Sequence, residues 1–397
     1  MQDLQEVKEL YQHQLVASVL PFWLEHGMDK VNGGIYTGLD RDGSLIETDK
    51  SVWFQGRALW TFSTAYSQIE KNPKYLEAAS SLARFLVDHC FDSDGRMFFR
   101  VTSEGRPVIK RLRYYFSEAF AIMGFSAYAE ITGDRQWANR AFALLGKVEE
   151  VTHTPGILIP KFNQETEPSI GFGGPMIMLN VLSCLRSALP EKTEWINAYM
   201  DRLLSEVETY FVRDDLHLVL EQCTPEGTLM GEHFEGRLLN PGHAIEGAWF
   251  IMNEGVIRSD EHLKALGLKM LDWMWTSGWD SEQGGGIIQY RDALGKAPTE
   301  YWHDMKFWWP QCEAAIANLL AFDITGDDRY LTQFHMVNDY IQKRFPDPAY
   351  GEWFGYFHRD GTLSTVIKGN MYKGPFHIPR MYMKCISIID HIQDTSR

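Results

Sequence analysis

The sequence has few cysteines, and none of them is paired at a disulfide or metal-binding spacing. Five occur among 397 residues, an odd number, and they are widely scattered: Cys90, Cys184, Cys223, Cys312 and Cys385. Without a CxxC pair or a ligand cluster, neither a zinc site nor a disulfide framework is predicted. The cysteines indicate reduced thiols, as in a cytoplasmic protein.

Basic clusters and long apolar runs are missing too. Asp and Glu outnumber Lys and Arg by 53 to 38, and the net charge of −15 is spread along the chain. This leaves no basic stripe for a nucleic-acid partner. No run approaches the ~18 apolar residues of a membrane helix, and no basic stretch leads into an apolar leader at the start. We expect no membrane span, no export signal and a cytoplasmic location.

The common catalytic signatures HExxH, GxSxG, GxGxxG and GxxxxGK[ST] are also absent. The sequence therefore does not support a zinc protease, a serine hydrolase, a dinucleotide-binding fold or a P-loop protein.

Helical periodicity, in contrast, runs along almost the whole chain. Apolar residues recur at i, i+3, i+4 and i+7 in the segments 59–70, 74–90, 117–132, 136–149, 175–188, 194–211, 242–256, 261–275, 312–324 and 328–344. With one more helix at each terminus, about twelve helices are predicted. Short apolar strands followed by acidic, glycine-containing turns predict hairpins at 33–44, 96–107, 216–228, 284–296 and 351–363.

Two helices and a hairpin form a unit that recurs roughly every 50 to 70 residues. Six such units fit an α/α barrel, an inner ring of helices within an outer ring. We predict an all-α fold, an (α/α)6 barrel with short β-hairpins in the inter-helix loops, as a single catalytic domain spanning 1–397. Aromatic residues make up 13% of the chain, which suggests a pocket walled with rings.

The stretch NPGHAIEGAWF (240–250) places a histidine and a carboxylate on one face of a helix start. Asn240 is a favoured N-cap and Pro241 suits the first helical position. His243 is predicted near the positive helix end, where protonation is disfavoured, and Glu246 at i+3 is predicted to orient it. A packed histidine satisfied by Glu246 is the alternative. Because burying both groups is costly unless they line a cavity, the cavity is favoured.

A second histidine, His377, lies in KGNMYKGPFHIPRMY (368–382) between two Gly/Pro turns. It is predicted at a helix entrance with Arg380 close by, and a neighbouring cation lowers the pKa of an imidazole. A surface-loop histidine is the alternative.

Two aromatic segments predict pocket walls. YWHDMKFWWPQCEA (301–314) gathers His303, Lys306, Trp308, Trp309, Gln311 and Glu313. Paired Trp rings with polar neighbours are typical of sugar pockets, although either ring could be core. SVWFQGRALW (51–60) gathers Trp53, Gln55 and Arg57, and Arg57 is suited either to a ligand oxygen or to an ion pair with an acid.

The chain resembles the N-acylglucosamine 2-epimerase family over almost its full length. The motifs that carry the resemblance are WFQGRALW, GGPMIMLN, NPGHAIEGAWF, KFWWPQCEA and GPFHIPR, in the family's order and at similar spacing. The resemblance implies an (α/α)6 barrel, which agrees with the helices and hairpins above.

It also implies that His243 and His377 exchange the proton at C2 of an open-chain sugar. It marks Arg57, Glu313 and Arg380 as essential and Glu246 as the support of the first histidine. This makes chemical sense, because two bases on opposite faces explain inversion and arginines stabilise the enediolate. No metal or redox cofactor is required.

Substrate expectations follow from the same resemblance. Related cellobiose 2-epimerases carry a further histidine in the helix where this chain has Ile177, Met178 and Leu179, which favours N-acetylglucosamine and N-acetylmannosamine over a disaccharide. Asn180 joins the predicted pocket walls Trp53, Lys306, Trp308, Trp309 and Gln311.

An epimerase or aldose–ketose isomerase of unmodified sugars, such as mannose, glucose or fructose, is the alternative within the family. A glycoside hydrolase or lyase using Glu246 and Glu313 would leave both histidines unexplained. A protein that only binds other proteins would keep its binding after replacement of both histidines and would show no sugar turnover. The family further implies a homodimer and, in some members, activation by ATP, for which this sequence carries no nucleotide motif.

Overall fold

Helices dominate the computed structural model, which describes residues 2–112 and 114–395. They are α1 (Gln2–Gln14), α2 (Leu20–Phe22), α3 (Val52–Gln68), α4 (Pro73–His89), α5 (Phe116–Thr132), α6 (Arg135–His153), α7 (Gly173–Ala188), α8 (Thr193–Glu206), α9 (Phe234–Arg237), α10 (Pro241–Arg258), α11 (Glu261–Gly278), α12 (Trp308–Thr325), α13 (Asp328–Arg344) and α14 (His377–Thr395). A π-helical turn, Leu15–Val19, joins α1 to α2; a second, Trp23–Gly27, extends α2, and a third, Val207–Phe211, extends α8. A 3-10 turn, Pro190–Lys192, precedes α8.

Six of these helices form a closed inner ring. In chain order α3, α5, α7, α10, α12 and α14 each pack against the next, and α14 returns to α3. Their sequences are apolar almost all round; in α5, for example, the residues from 117 to 129 are all buried. A helix that is apolar on every side is stable only when it is enclosed, so these helices take the centre.

The outer ring is formed by α1, α4, α6, α8, α11 and α13, each packed against one or more inner helices. Inner helices pass to outer ones through short turns in which an Asx side chain caps the next helix: Asn72, Asp134, Asp260 and Asp327 each accept from a backbone N–H. Outer helices return to inner ones through the longer connections. The longer connections therefore meet the N-terminal ends of the inner helices.

Short strands occupy those longer connections. They are β1 (Gly38–Leu39), β2 (Leu45–Glu47), β3 (Lys50–Ser51), β4 (Arg100–Val101), β5 (Pro107–Ile109), β6 (Ile170–Gly171), β7 (Val212–Arg213), β8 (Leu218–Val219), β9 (Gln222–Cys223), β10 (Leu238–Leu239), β11 (Arg291–Asp292), β12 (Lys306–Phe307), β13 (Tyr356–Phe357) and β14 (Leu363–Thr365). All their pairings are antiparallel. The predicted (α/α)6 barrel with small β-hairpins is confirmed.

Three of the five predicted hairpins close on themselves, and two do not. β1 pairs with β2, β4 with β5 and β13 with β14; these hairpins begin in the segments 33–44, 96–107 and 351–363 and end two or three residues beyond them. In 216–228, however, β8 pairs back with β7 and β9 pairs with β6, while in 284–296 β11 pairs with the distant β10. The pattern marks a strand and a turn, but tertiary packing chooses the partner strand.

Within the described residues, all five cysteines are free thiols, and no helix is long and apolar enough to cross a membrane.

Candidate active site

The six predicted catalytic residues lie at one end of the barrel, in the first turns of four inner helices. Arg57 is on α3, His243 and Glu246 are on α10, Glu313 is on α12, and His377 and Arg380 are on α14. They are widely separated in sequence, and they come together because the inner helices share one direction around the barrel axis. The positive ends of these helix dipoles face the same region, which favours a negative charge there.

His243 is held by two contacts, one of which sequence analysis missed. The Asn240 side chain accepts the His243 backbone N–H at 3.2 Å, and Pro241 opens the helix, as predicted. The His243 Nδ1 atom lies 3.0 and 3.2 Å from the two carboxylate oxygens of Glu221, between β8 and β9. A carboxylate at that distance requires an N–H, so Nδ1 donates and Nε2 is left for chemistry.

Two predictions about His243 are therefore wrong. Glu246 does not hold its ring, because Arg380 binds the Glu246 carboxylate instead. Protonation is not disfavoured either: burial lowers the pKa of His243, but the Glu221 carboxylate outweighs burial and raises the pKa above its ordinary value. The only hint in the sequence is that Glu221 directly follows the apolar run LHLVL.

His377 has a carboxylate of its own. It opens α14 as predicted, and its Nδ1 atom lies 2.8 Å from Glu313 Oε1. Nδ1 therefore donates to Glu313 and Nε2 carries the lone pair. Burial and the neighbouring Arg380, whose Nη2 atom is 3.3 Å from Nδ1, hold the pKa of His377 well below its ordinary value. The prediction of a lowered pKa is confirmed.

Trp309 lies beside both histidines. Its ring centroid is 5.1 Å from that of His243 and 5.8 Å from that of His377, so the two imidazoles flank one indole. Trp308 is 2% exposed and packs edge-on against Tyr356 and His377. Of the two predicted Trp walls, Trp309 lies between the histidines and Trp308 supports His377 from the core.

An ion cluster crosses the barrel below the histidines. Arg380 Nη2 contacts Glu246 Oε1 and lies 2.7 Å from Glu313 Oε1, while Trp249 Nε1 donates to Glu313 Oε2 at 2.8 Å. These carboxylates raise the pKa of Arg380 although burial opposes them. Ligand atoms of Glu246, Glu313 and His377 lie within 4.8 Å of one another, as they would around a metal ion. Here the guanidinium of Arg380 contacts both carboxylates and supplies the positive charge.

Arg57 is a buried cation that has no carboxylate partner among the described residues. Its Cζ lies 3.9 Å from the Phe120 ring centroid and 5.0 Å from that of Phe376. Its Nε is buried without a hydrogen-bond partner among the described residues. Burial lowers the pKa of Arg57 to about 9, so the group stays charged at neutral pH. The alternative of an ion pair is not what the structure shows, and a ligand oxygen suits Arg57 better.

Lys306 and Gln311 are not pocket walls. Lys306 is fully buried, pairs with Asp280 at 2.9 Å and donates to the carbonyls of Gln283 and Arg359. Gln311 is equally buried; it accepts from the Ile287 N–H and donates to the carbonyls of Ile287 and Phe307. Both predictions are wrong, because these side chains use their polar atoms in hydrogen bonds and an ion pair that hold the connection before α12.

Equivalent contacts hold the connection before α3. Gln55 accepts from the Ile35 N–H and donates to the Ile35 carbonyl, as Gln311 does with Ile287. Lys50 pairs with Asp29 at 2.7 Å, as Lys306 does with Asp280. A polar residue in the first turn of an inner helix is therefore not by itself a mark of the site.

The remaining predicted walls lie at two levels of the barrel. Trp53 is half-buried near the mouth and packs against Phe99, Phe116 and Phe120. Asn180 lies deeper, in the middle of α7, where its Nδ2 donates to Met123 Sδ at 3.4 Å. It lines a cavity of about 140 Å³ on the far side of Arg380.

Comparison with known proteins agrees with this architecture. The family model described as N-acylglucosamine 2-epimerase (GlcNAc 2-epimerase) matches residues 33–375. The N-acylglucosamine 2-epimerase of Bos taurus is 35% identical over 380 residues, 94% of this chain and 89% of that protein. That of Homo sapiens is 31% identical over 396 residues, 97% of this chain and 92% of that protein.

More distant relatives share the fold. The cellobiose 2-epimerase of Bacteroides fragilis is 25% identical over 402 residues, 96% of this chain and 98% of that protein. The solved structure of the cellobiose 2-epimerase from Spirochaeta thermophila superposes with a TM-score of 0.85 at 24% identity, covering 99% of both chains. Given the family match over most of the chain and curated relatives above 30% identity along nearly its whole length, this chain belongs to the N-acylglucosamine 2-epimerase family.

Proposed function

We propose that this protein interconverts N-acetyl-D-glucosamine and N-acetyl-D-mannosamine by moving the proton at C2 of the open-chain sugar. The observation that carries the proposal is the pair of imidazoles flanking Trp309, each held at Nδ1 by its own carboxylate. Beside them lies Arg57, whose Nε has no hydrogen-bond partner in the part of the chain that the structure describes. An enzyme that inverts a carbon centre needs two bases and a stabiliser for the anion between them.

The unequal pKa values of the two histidines support a division of labour. With its pKa lowered, His377 is the better base of the two; with its pKa raised, His243 is the better proton donor and acts as the acid. His377 Nε2 takes the C2 proton, and the C2–H electron pair forms the C1=C2 bond of an enolate with its charge on O1. His243 Nε2 then delivers its proton to the opposite face of C2. Exchange with solvent restores the starting protonation.

Arg57 is the residue we assign to the developing charge on O1. Arg380 has its charge balanced by Glu246 and Glu313, whereas the Arg57 guanidinium has no carboxylate partner in the described structure. A cation that has given up solvent without gaining a counter-ion gains most when negative charge appears beside it. Glu313 then positions His377, while burial and the neighbouring Arg380 keep its imidazole neutral.

The test is exchange of the C2 proton in D2O, followed by NMR, with N-acetylmannosamine, N-acetylglucosamine, mannose, glucose and cellobiose. We expect exchange and epimer formation with the N-acetylated sugars and their loss in His243→Asn and His377→Asn. His262→Asn, an exposed histidine on the outer helix α11 that pairs with Glu208, is the matched control. Ketose formation from mannose or glucose would instead favour the isomerase alternative. Exchange with none of the sugars would refute the proposal.

Three finer points remain predictions from the family resemblance: a homodimer, activation by ATP and a cytoplasmic location. The exchange assay with and without ATP tests the second, and light scattering of the purified protein tests the first. Cell fractionation tests the third.

A further inference from the structure

A small apolar notch lies beside Arg57 at the mouth of the barrel. The centre of a water-sized group can move within about 10 Å³ there, which is room for one water molecule or one methyl group. Its walls and mouth are formed by Trp53, Phe54, Met371, Tyr372, Pro375 and Phe376.

The notch is next to the reacting groups. Phe376 directly precedes His377, and their ring centroids are 5.1 Å apart. The Cζ of Arg57 lies 5.0 Å from the Phe376 ring centroid, and Arg57 itself lines the notch. A substituent on the carbon that His377 deprotonates can therefore reach the notch.

The lining selects the chemistry of that substituent. Apart from Arg57, the side chains around the notch are rings, a proline and a methionine, with the one phenol, Tyr372, 63% exposed at the mouth. A hydroxyl placed among these walls would lose its hydrogen bonds to water, whereas a methyl group would gain from burial. A carbonyl next to that methyl could accept from the Arg57 guanidinium, which lines the notch.

We propose that the notch receives the methyl of the substrate's N-acetyl group, that the Arg57 guanidinium donates to the acetyl carbonyl, and that Met371 limits the acyl chain to two carbons. The inference rests on the proposed function, because it assigns a place to the substituent at C2. It names the feature of this chain that prefers an acetamido sugar to an unmodified one.

The experiment compares kcat/KM for C2 exchange with N-acetylmannosamine and N-propanoylmannosamine. One additional methylene in a confined apolar pocket changes kcat/KM by about 10- to 200-fold, so we expect the native protein to prefer the acetyl sugar by about tenfold or more. Met371→Ala opens the half-buried mouth and should raise the propanoyl-to-acetyl ratio about tenfold. Met336→Ala is the matched control, because Met336 is 38% exposed on the outer helix α13 and should leave the ratio unchanged.

The outcomes separate this inference from the proposed function. If N-acetylmannosamine exchanges but the native protein accepts the propanoyl sugar equally well, the notch is not the acyl site. The same conclusion follows if Met371→Ala and Met336→Ala have the same ratio. If no N-acylated sugar exchanges, the proposed function fails, whatever the variants do.

Discussion

Replacing Arg57 with methionine should stabilise the protein while it removes most of the activity. Arg57 is enclosed by Trp53, Phe120 and Phe376, and its Nε is buried without a partner in the described structure. Methionine keeps a long apolar stem among the rings and removes the charge. Stability and activity should therefore move in opposite directions.

The size of the stability change follows from the pKa of Arg57. Burial lowers it from 12.5 to about 9, and at ~1.4 kcal/mol per unit the charged form is disfavoured by about 5 kcal/mol. Solvent at the mouth of the barrel reduces this figure, and the ring faces return about 1–2 kcal/mol through cation–π attraction. We expect Arg57→Met to raise the free energy of unfolding by about 1–3 kcal/mol. Loss of the enolate stabiliser should lower kcat about 10²- to 10³-fold.

The assay is chemical denaturation of the native protein and the variant, together with C2 exchange in D2O. Arg96→Met is the matched control. Arg96 is a buried arginine whose Nε lies 2.6 Å from Glu118 Oε1, and breaking such a pair leaves a buried charge at a cost of about 3–5 kcal/mol. Arg96→Met should therefore be destabilised, whereas Arg57→Met should not.

One result would refute the reasoning. If Arg57→Met lost as much stability as Arg96→Met, Arg57 would have a compensating partner in the folded protein. It could not then be the unpaired cation that we assign to the enolate.

Three further predictions concern the other groups at this end of the barrel. Glu221→Gln should lower the pKa of His243, seen by NMR titration of its imidazole, because Glu221 is what raises it; the exposed Glu226→Gln should leave it unchanged. A histidine whose pKa is raised in the folded state stabilises the folded protein below the unfolded pKa of ~6.5, and this stabilisation is lost as the pH rises through the folded pKa. Glu221→Gln should therefore lower the free energy of unfolding more at pH 5.5 than at pH 9. An equal loss at both pH values would contradict this linkage to His243. Glu313→Ala should abolish exchange and destabilise by about 3–5 kcal/mol, because Arg380 and His377 lose a fully buried partner, whereas Glu313→Gln, which can still accept from His377, should retain part of the activity. Lys306→Met should lower the denaturation midpoint, since the buried Asp280 carboxylate loses a charged hydrogen-bond donor at a cost of about 1–3 kcal/mol. It should keep kcat within about twofold, and a large loss of kcat in folded protein would return Lys306 to the site.

Local patterns in the sequence predict much of the fold because they report local physics. Apolar residues at helical spacing predict α13 at its observed bounds, and Asn240 with Pro241 predicts the start of α10. The segment SVWFQGRALW (51–60) lies at the start of a helical pattern, and α3 does begin there at Val52. Its apolar spacing is regular only from 59, because the polar residues Gln55 and Arg57 interrupt it. Gln55 hydrogen-bonds to the connection before the helix, and Arg57 lies against aromatic rings inside the barrel. Neither environment is visible in a window of sequence neighbours.

The sequence by itself determined the barrel, the two histidines and the ring-lined, acidic character of this protein, since these follow from periodicity, composition and motifs carried by contiguous residues. Only the tertiary structure decided which carboxylate serves which histidine. Glu246 is three residues from His243 but binds Arg380, while Glu221, 22 residues away, takes the imidazole. The reason is physical, because a buried charge pairs with the opposite charge that packing places nearest. In the inner ring Arg380 on α14 faces Glu246 on α10, and the loop between β8 and β9 places Glu221 beside His243 at the same end of the barrel.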